Sequence, residues 1–410
     1  MSFEEPRNAL PWELVELIIG FLRSDPKSLR QACLASRTWV PICRAHLFRR
    51  IVLHWCDDGT RRSNSLLNLL THTPSIANYI RELSVHEGLI SNGSHTTYCF
   101  ARSSSLPKLL YLLPHLRLFE FRASTLTHWC ELSGELMDAV LYAATCPGLI
   151  ELALGSWNFS FQPQALDAVL AAAAKNVRIL TLKDIVTPMV PEAYPRVGIV
   201  DVGSIQLPEE ELALKSLRIS DGATSMVPFC AQWFYMRPGA RISCLHLSCA
   251  THQESISDLV RVLGTSLEEL ELNIQSVHGD QPLDLRCNTR LQNLRLQSSD
   301  CPSMLYRANI TASWIVDVLS TLRSFEFLEL LDVRFAVDAE HLRQLSHSDA
   351  ARWRHLDQML GQNNFTRLRN VRVGFKFYCH TGSQYTEETR QCMPGLRHAG
   401  ILDVFTEPRQ

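Results

Sequence analysis

The sequence predicts an α/β protein, with a short helical module at the N-terminus and a strand–turn–helix unit repeated to the C-terminus. Three observations carry this. LPWELVELIIGFL, Leu10 to Leu22, crowds aliphatic side chains near the start of the chain, with only Glu13 and Glu16 to break them. The pattern L-x-x-L-x-L, with other aliphatics and Phe allowed, occurs ten times after it. Between those matches the apolar period changes from that of a strand to that of a helix.

In the opening stretch, Leu10, Leu14, Leu17, Ile18 and Phe21 form one helical stripe, and Val15, Ile19 and Leu22 a second beside it. A helix apolar over most of its circumference is buried over most of it. After a polar turn, Arg23 to Ser28, a helical pattern runs through Leu29, Cys33 and Leu34 up to Trp39. Pro41 suits the first turn of a third helix, where its missing N–H costs least, and Leu47 and Phe48 close the segment. Three short helices in about forty residues make a poor core alone, so one stripe is expected to await a cover.

The repeat begins with IRELSV (Ile80, Leu83, Val85), LRLFEF (Leu116, Phe119, Phe121) and LIELAL (Leu149, Leu152, Leu154). VRILTL, LKSLRI, ISCLHL, LEELEL, LQNLRL, LELLDV and LRNVRV follow, centred on Leu180, Leu217, Leu245, Leu270, Leu294, Leu331 and Val371, with a weaker AGILDV at Leu402 and Val404. Each match ends in the alternation of a strand with one buried face. SISDLVRVLG sets Ile256, Leu259, Val260 and Leu263 on one helical face, with Ser255 and Asp258 spaced as a capping box. Ala165 to Ala174 is a strong helix former, and DAARWRHLDQML aligns Trp353, Leu356, Met359 and Leu360. Strand, turn and helix in repetition is the leucine-rich-repeat architecture, in which stacking gives units that cannot bury themselves one continuous core. Successive centres lie from 24 (Leu270 to Leu294) to 40 (Leu331 to Val371) residues apart. Where an asparagine ladder would stand, the chain has Gly88, Trp157, Gly222 or Gln275. The expected fold class is therefore α/β: a helical module, then an irregular leucine-rich-repeat solenoid with parallel strands on the inner curve, helices outside and uneven curvature. Two insertions interrupt it and read as long loops: the proline-rich Val186 to Ala213, and the polar Lys376 to Gly395 with Tyr378, His380 and Tyr385.

Composition narrows the function. The chain has 410 residues, 46% hydrophobic and 20% charged, with a net charge of −2. A nucleic-acid binder normally shows a basic face. The nearest approach, Arg37, Arg44, Arg49, Arg50, Arg61 and Arg62, reads as a solvated helix surface, so no nucleic-acid partner is expected. Thirteen cysteines, an odd count without a CxxC pair and with Cys244 and Cys249 as the closest group, read as free thiols in a reducing compartment. The acidic MSFEEPRNAL differs from a secretory signal, and no apolar run reaches the roughly 18 residues of a membrane span. Cytoplasmic or nuclear placement is expected, and the N-x-[ST] triplets at Asn92, Asn158, Asn309 and Asn364 read as chance. No phosphate-binding, nucleophile-elbow or zinc-protease motif occurs. Cys379 beside His380 is adjacency, not catalytic geometry. No enzymatic activity, cofactor or metal is expected.

Leu10, Pro11, Glu13 and Leu14, then Leu29 and Arg30, then Ser36, Arg37 and Trp39, then Leu47 and Phe48 follow the pattern L-P-x-E-L … L-R … S-R-x-W … L-F, which resembles the F-box. LLNLLTHTPSIANYIRELSV, Leu66 to Val85, is similar to the first repeat of F-box proteins from mushroom-forming fungi. There a helix, a Pro-x-hydrophobic turn and an I-R-x-L strand follow the F-box. The resemblance implies an F-box over residues 8–50 and a target-binding solenoid over 60–410. It implies a substrate receptor of an SCF-type cullin-RING ubiquitin ligase, joined to the cullin by a small acidic Skp-family adaptor, with an unknown protein target. Leu10 and Pro11 would enter the adaptor first, followed by Leu14, Ile18, Leu22, Leu29 and Trp39. The competing expectation is a leucine-rich-repeat interaction scaffold that binds the adaptor without supporting ubiquitination.

Overall fold

The computed structural model describes residues 10–55, 59–87, 103–188, 212–221, 226–237, 239–249, 253–274, 282–298, 312–323, 325–337, 339–361, 365–377 and 382–407. The chain divides into two compact units, Met1–Gly155 and Ser156–Gln410. Residues 8–50 fall in the first unit, together with the strands up to Gly155.

The first unit opens with helices α1 (Trp12–Phe21), α2 (Pro26–Ala35) and α3 (Val40–Leu47). Helix α2 starts inside the segment read as a turn. Asp25 caps it by accepting from the N–H groups of Lys27 and Ser28, and Pro26 occupies the first turn. Strand and helix then alternate: β1 (Arg50–Trp55), α4 (Gly59–His72), β2 (Glu82–Glu87), α5 (Ser105–Tyr111), β3 (Leu118–His128), α6 (Gly134–Ala144) and β4 (Glu151–Asn158), the last crossing the unit boundary. Strands follow one another in chain order. Their pairing is parallel, with Ile51 opposite Leu83 and Leu83 opposite Phe119. The motif leucines thus form rungs of one ladder, and Leu83, Val85, Phe119, Phe121 and Leu152 are fully buried beneath the helices. Each such side chain is worth about 1.5–3 kcal/mol.

The second unit continues with α7 (Pro163–Asn176), β5 (Ile179–Lys183), β6 (Ser216–Asp221), α8 (Met226–Tyr235), β7 (Cys244–Cys249), α9 (Gln253–Leu263), β8 (Glu269–Ile274) and β9 (Asn293–Ser298). It ends with α10 (Ala312–Thr321), β10 (Leu330–Val337), α11 (Ala339–Leu360), β11 (Asn370–Phe377), α12 (Gly382–Gln391), α13 (Pro394–His398) and β12 (Leu402–Thr406). Leu180, Leu217, Leu245, Leu270, Leu294, Leu331, Val371 and Leu402 stand opposite one another in succession. Within each unit this is a solenoid-like parallel α/β arrangement. Every pattern match falls on a strand, the weak one at Leu402 included.

Four local readings are corrected or extended. Residues 50–55 form a strand, which the loose pattern did not pick out. Ser255 lies inside α9, so no capping box forms there, and Asp258 instead pairs with Arg261 at 2.9 Å. Lys376 to Gly395 is not one long loop: Lys376 and Phe377 end β11, 382–391 form α12 and Pro394 and Gly395 open α13, while 378–381 lie outside the described residues. Tyr385 from α12 packs edge-on against Phe375, at 5.1 Å between ring centroids, which secures the helix to the sheet. Asn158 accepts from the backbone N–H of Ser160 at 2.9 Å, which closes a local turn after β4.

Several readings lie outside the described residues: Asn92, Asn309, Asn364, Gly88, Gly222, Gln275, Tyr378, Cys379, His380 and most of Val186 to Ala213. Among the described residues no helix is long and apolar enough to cross a membrane. Eight cysteines there, Cys33, Cys43, Cys130, Cys146, Cys230, Cys244, Cys287 and Cys392, are in no disulfide.

Candidate docking surface

Helix α1 separates its two stripes. Val15 and Ile19 are 4% and 0% exposed and form a small core with Leu29, Ala32 and Cys43. Leu22, Cys33, Trp39, Ile42 and Leu47 pack around it. Burial, with the neighbouring Cys33 thiol, pushes the Cys43 thiol up to about 11, so it sits in the core as a neutral apolar group.

The other stripe faces outward. Leu14, Leu17, Ile18 and Phe21 are 46%, 58%, 43% and 77% exposed. Leu10 and Pro11 precede the helix and are exposed beside Trp12, whose indole N–H donates to Glu16 at 3.0 Å. Leu34 on α2 is more exposed still, at 88%. Single exposed apolar side chains are ordinary; here they form a run along one helix.

The seven expected adaptor contacts therefore divide. Leu10, Pro11, Leu14 and Ile18 lie on the open stripe. Leu22 and Trp39 are half-buried against the core. Leu29 is inside it, 1% exposed, and supports the surface from below. Trp12, Leu17, Phe21 and Leu34 belong to the exposed set and were not singled out as contacts. Leu17 and Phe21 were legible, since both lie on the first stripe at helical spacing.

A second surface is the sheet face opposite the helices. In the second unit its central row runs Thr181, Arg218, His246, Glu271, Arg295, Asp332, Arg372, Asp403. From Glu271 onward it is a chain of alternating charge. His246 Nδ1 lies 3.1 Å from Glu271, Arg295 reaches Glu269 and Glu271 at 2.8 and 3.4 Å, and Arg372 bridges Asp332 and Asp403 at 3.5 and 3.3 Å. The hydrogen bond with His246, aided by Arg295, holds the Glu271 carboxyl below the usual carboxylate range. The Arg372 guanidinium also lies over the Phe405 ring, 4.8 Å from its centroid. Phe405 has room there because Gly374 beneath it has no side chain; a Cβ at 374 would stand 2.7 Å from the ring. This part of the face neutralises itself.

Among the described residues no cluster of three or more His, Cys, Asp or Glu is placed to hold a metal ion. A scan against models of known protein families finds no match to the chain, and a search of curated proteins finds no significant match.

Proposed function

We propose that this chain is the substrate-recognition subunit of an SCF-type cullin-RING ubiquitin ligase. The single observation that supports this best is the division of α1. A helix with Ile19 wholly buried and its neighbour Ile18 43% exposed has one face that makes the fold and one available to a partner. Of the F-box-like residues, Glu13, Leu14, Leu29, Arg30 and Leu47 lie on α1, α2 and α3 and the others lie just before, between or after them; the resemblance supplies the partner, a small Skp-family adaptor. Leu10, Pro11, Leu14 and Ile18 enter it directly, Leu22 and Trp39 contribute their exposed edges, and Leu29 holds the helices in position. A few buried anchors usually dominate such an interface. The strand repeats are of leucine-rich-repeat type, and their open polar sheet face holds the target protein. The chain itself catalyses nothing; it acts in the cytoplasm or nucleus and uses no cofactor.

The test is reconstitution. The full chain, a Skp-family adaptor from the source organism and its cullin should co-purify, and ubiquitination of a co-purifying target should require all three. An adaptor complex without a cullin, or without target ubiquitination, would instead make the chain an interaction scaffold.

A further inference from the structure

One feature of the first unit belongs to neither surface. The residues just before β1, β2 and β3 are Arg49, Arg81 and Arg117. They occupy one rung: the Arg81 N–H donates to the Arg49 carbonyl at 2.9 Å, and the Arg117 N–H donates to the Arg81 carbonyl at 2.6 Å. Neighbouring parallel strands are about 4.8 Å apart, so three guanidinium side chains leave the backbone at that spacing. Like charges opposite one another on adjacent strands oppose pairing, and only part of this charge is offset. Arg49 meets Glu82 at 3.2 Å, and Arg81 donates to the His115 carbonyl at 3.2 Å. The Arg117 side chain is exposed and has no ionic or hydrogen-bonding partner among the described residues.

The three arginines line one open pocket of about 270 Å³ together with His46 from α3 and Asn78 and Tyr79 from the turn before β2. None of its lining residues is acidic. From the pocket's composition we infer that it binds a phosphoryl group, as a phosphomonoester. Arginine forks match the geometry and charge of phosphate oxygens, and a phosphomonoester offers three acceptors and close to two negative charges. Asn78 and Tyr79 add neutral donors. The volume exceeds a bare phosphate and leaves room for the group that carries it. Two sources share this chemistry: a phosphorylated segment of a bound protein and a free phosphorylated small molecule. The site does not depend on the adaptor reading, because its walls lie outside the exposed stripe of α1.

The experiment titrates the full-length chain, at constant ionic strength, with glycerol 3-phosphate, with a Gly-Gly-phosphoserine-Gly-Gly peptide and with its unphosphorylated twin. The phosphorylated probes should bind and the twin should not. Arg81→Gln and Arg117→Gln should each weaken binding by about tenfold or more, the scale of one lost charged hydrogen bond. Arg369→Gln, the same charge change on the equivalent rung of the second unit beside Glu329, should bind as the wild type does. Tighter binding of the peptide identifies a phosphorylated segment as the source, and tighter binding of glycerol 3-phosphate a free phosphorylated small molecule; either upholds the phosphoryl site. Should Arg117→Gln lose its folded circular-dichroism signal, Arg117→Lys keeps the charge without the fork and should still weaken binding. The inference is overturned if neither phosphorylated probe binds better than the twin, or if the substitutions at 81 and 117 leave the affinity unchanged.

Discussion

Ile18 and Ile19 are adjacent, identical in chemistry and opposite in role. Ile19→Ala should destabilise the helical module by about 2–5 kcal/mol, the range for a fully buried aliphatic. Ile18→Ala should change urea-melt stability by less than about 0.5 kcal/mol while weakening adaptor binding. Equal destabilisation by the two would contradict the division of α1. Asp25 adds a pH dependence. The hydrogen bonds from the Ser28 hydroxyl and the Ser28 and Lys27 N–H groups hold its carboxyl below the ordinary aspartate range. Its folded-state pKa is depressed, so its stabilisation is present above the unfolded value of about 4 and is lost as pH falls through the lowered folded value. Asn is as good a cap as Asp, so Asp25→Asn should keep stability at pH 7 and remove part of the loss between pH 5 and 3 in thermal melts. A pH profile identical to wild type would refute this assignment. Both α1 stripes were legible from apolar spacing alone. Their allocation to inside and outside was not, because that depends on which face α2 and α3 cover.

At the scale of elements, the strands were the most legible feature. Alternation with one buried face is a local property, and stacking in chain order adds no long-range choice that a sequence must specify. The connections were less so. Asn288 is fully buried between β8 and β9, where its amide donates to the Val260 and Gly264 carbonyls, both at 2.9 Å, and satisfies the end of α9. No spacing rule singles out an asparagine 24 residues from its acceptor. Asp357 is similar. It reads as a polar residue of an amphipathic helix, yet it is buried on α11 and accepts from the N–H groups of Gly395 and Leu396 at 2.9 and 2.8 Å, the start of α13. The segment from Lys376 to Gly395 reads as a loop because its polarity hides two helix segments, α12 secured by Tyr385 and the start of α13 capped by Asp357. Asp357→Ala leaves two N–H groups unpaired and should cost about 1–3 kcal/mol. It should also raise amide hydrogen exchange across 394–398; unchanged exchange there would rule out the capping role.

At the scale of the molecule, receptor and tether should be separable if the cut respects β1. The Arg49 carbonyl accepts from the N–H groups of Arg81 and Glu82, both at 2.9 Å, and residues 50–55 pair with β2. Deleting residues 1–48 should therefore leave an array that melts cooperatively, retains target binding and no longer binds the adaptor, whereas deleting 1–58 should unravel the first repeat. Circular-dichroism melts and a target pull-down compare the two. A folded, target-binding 1–48 deletion that still supports normal target ubiquitination would exclude the receptor reading.

The most direct measurement is adaptor affinity. Titration of the purified Skp-family adaptor into the wild-type chain and into a Leu14→Asp/Ile18→Asp variant, with circular dichroism to establish that both are folded, tests the exposed stripe itself. Both substituted side chains are already solvent-exposed, so the variant should fold. Two charges placed in a desolvated apolar interface should weaken binding by at least a hundredfold. Tight binding by the wild type and none detectable by the variant is the predicted result. No complex with the wild type, or equal affinity for both chains, would contradict it.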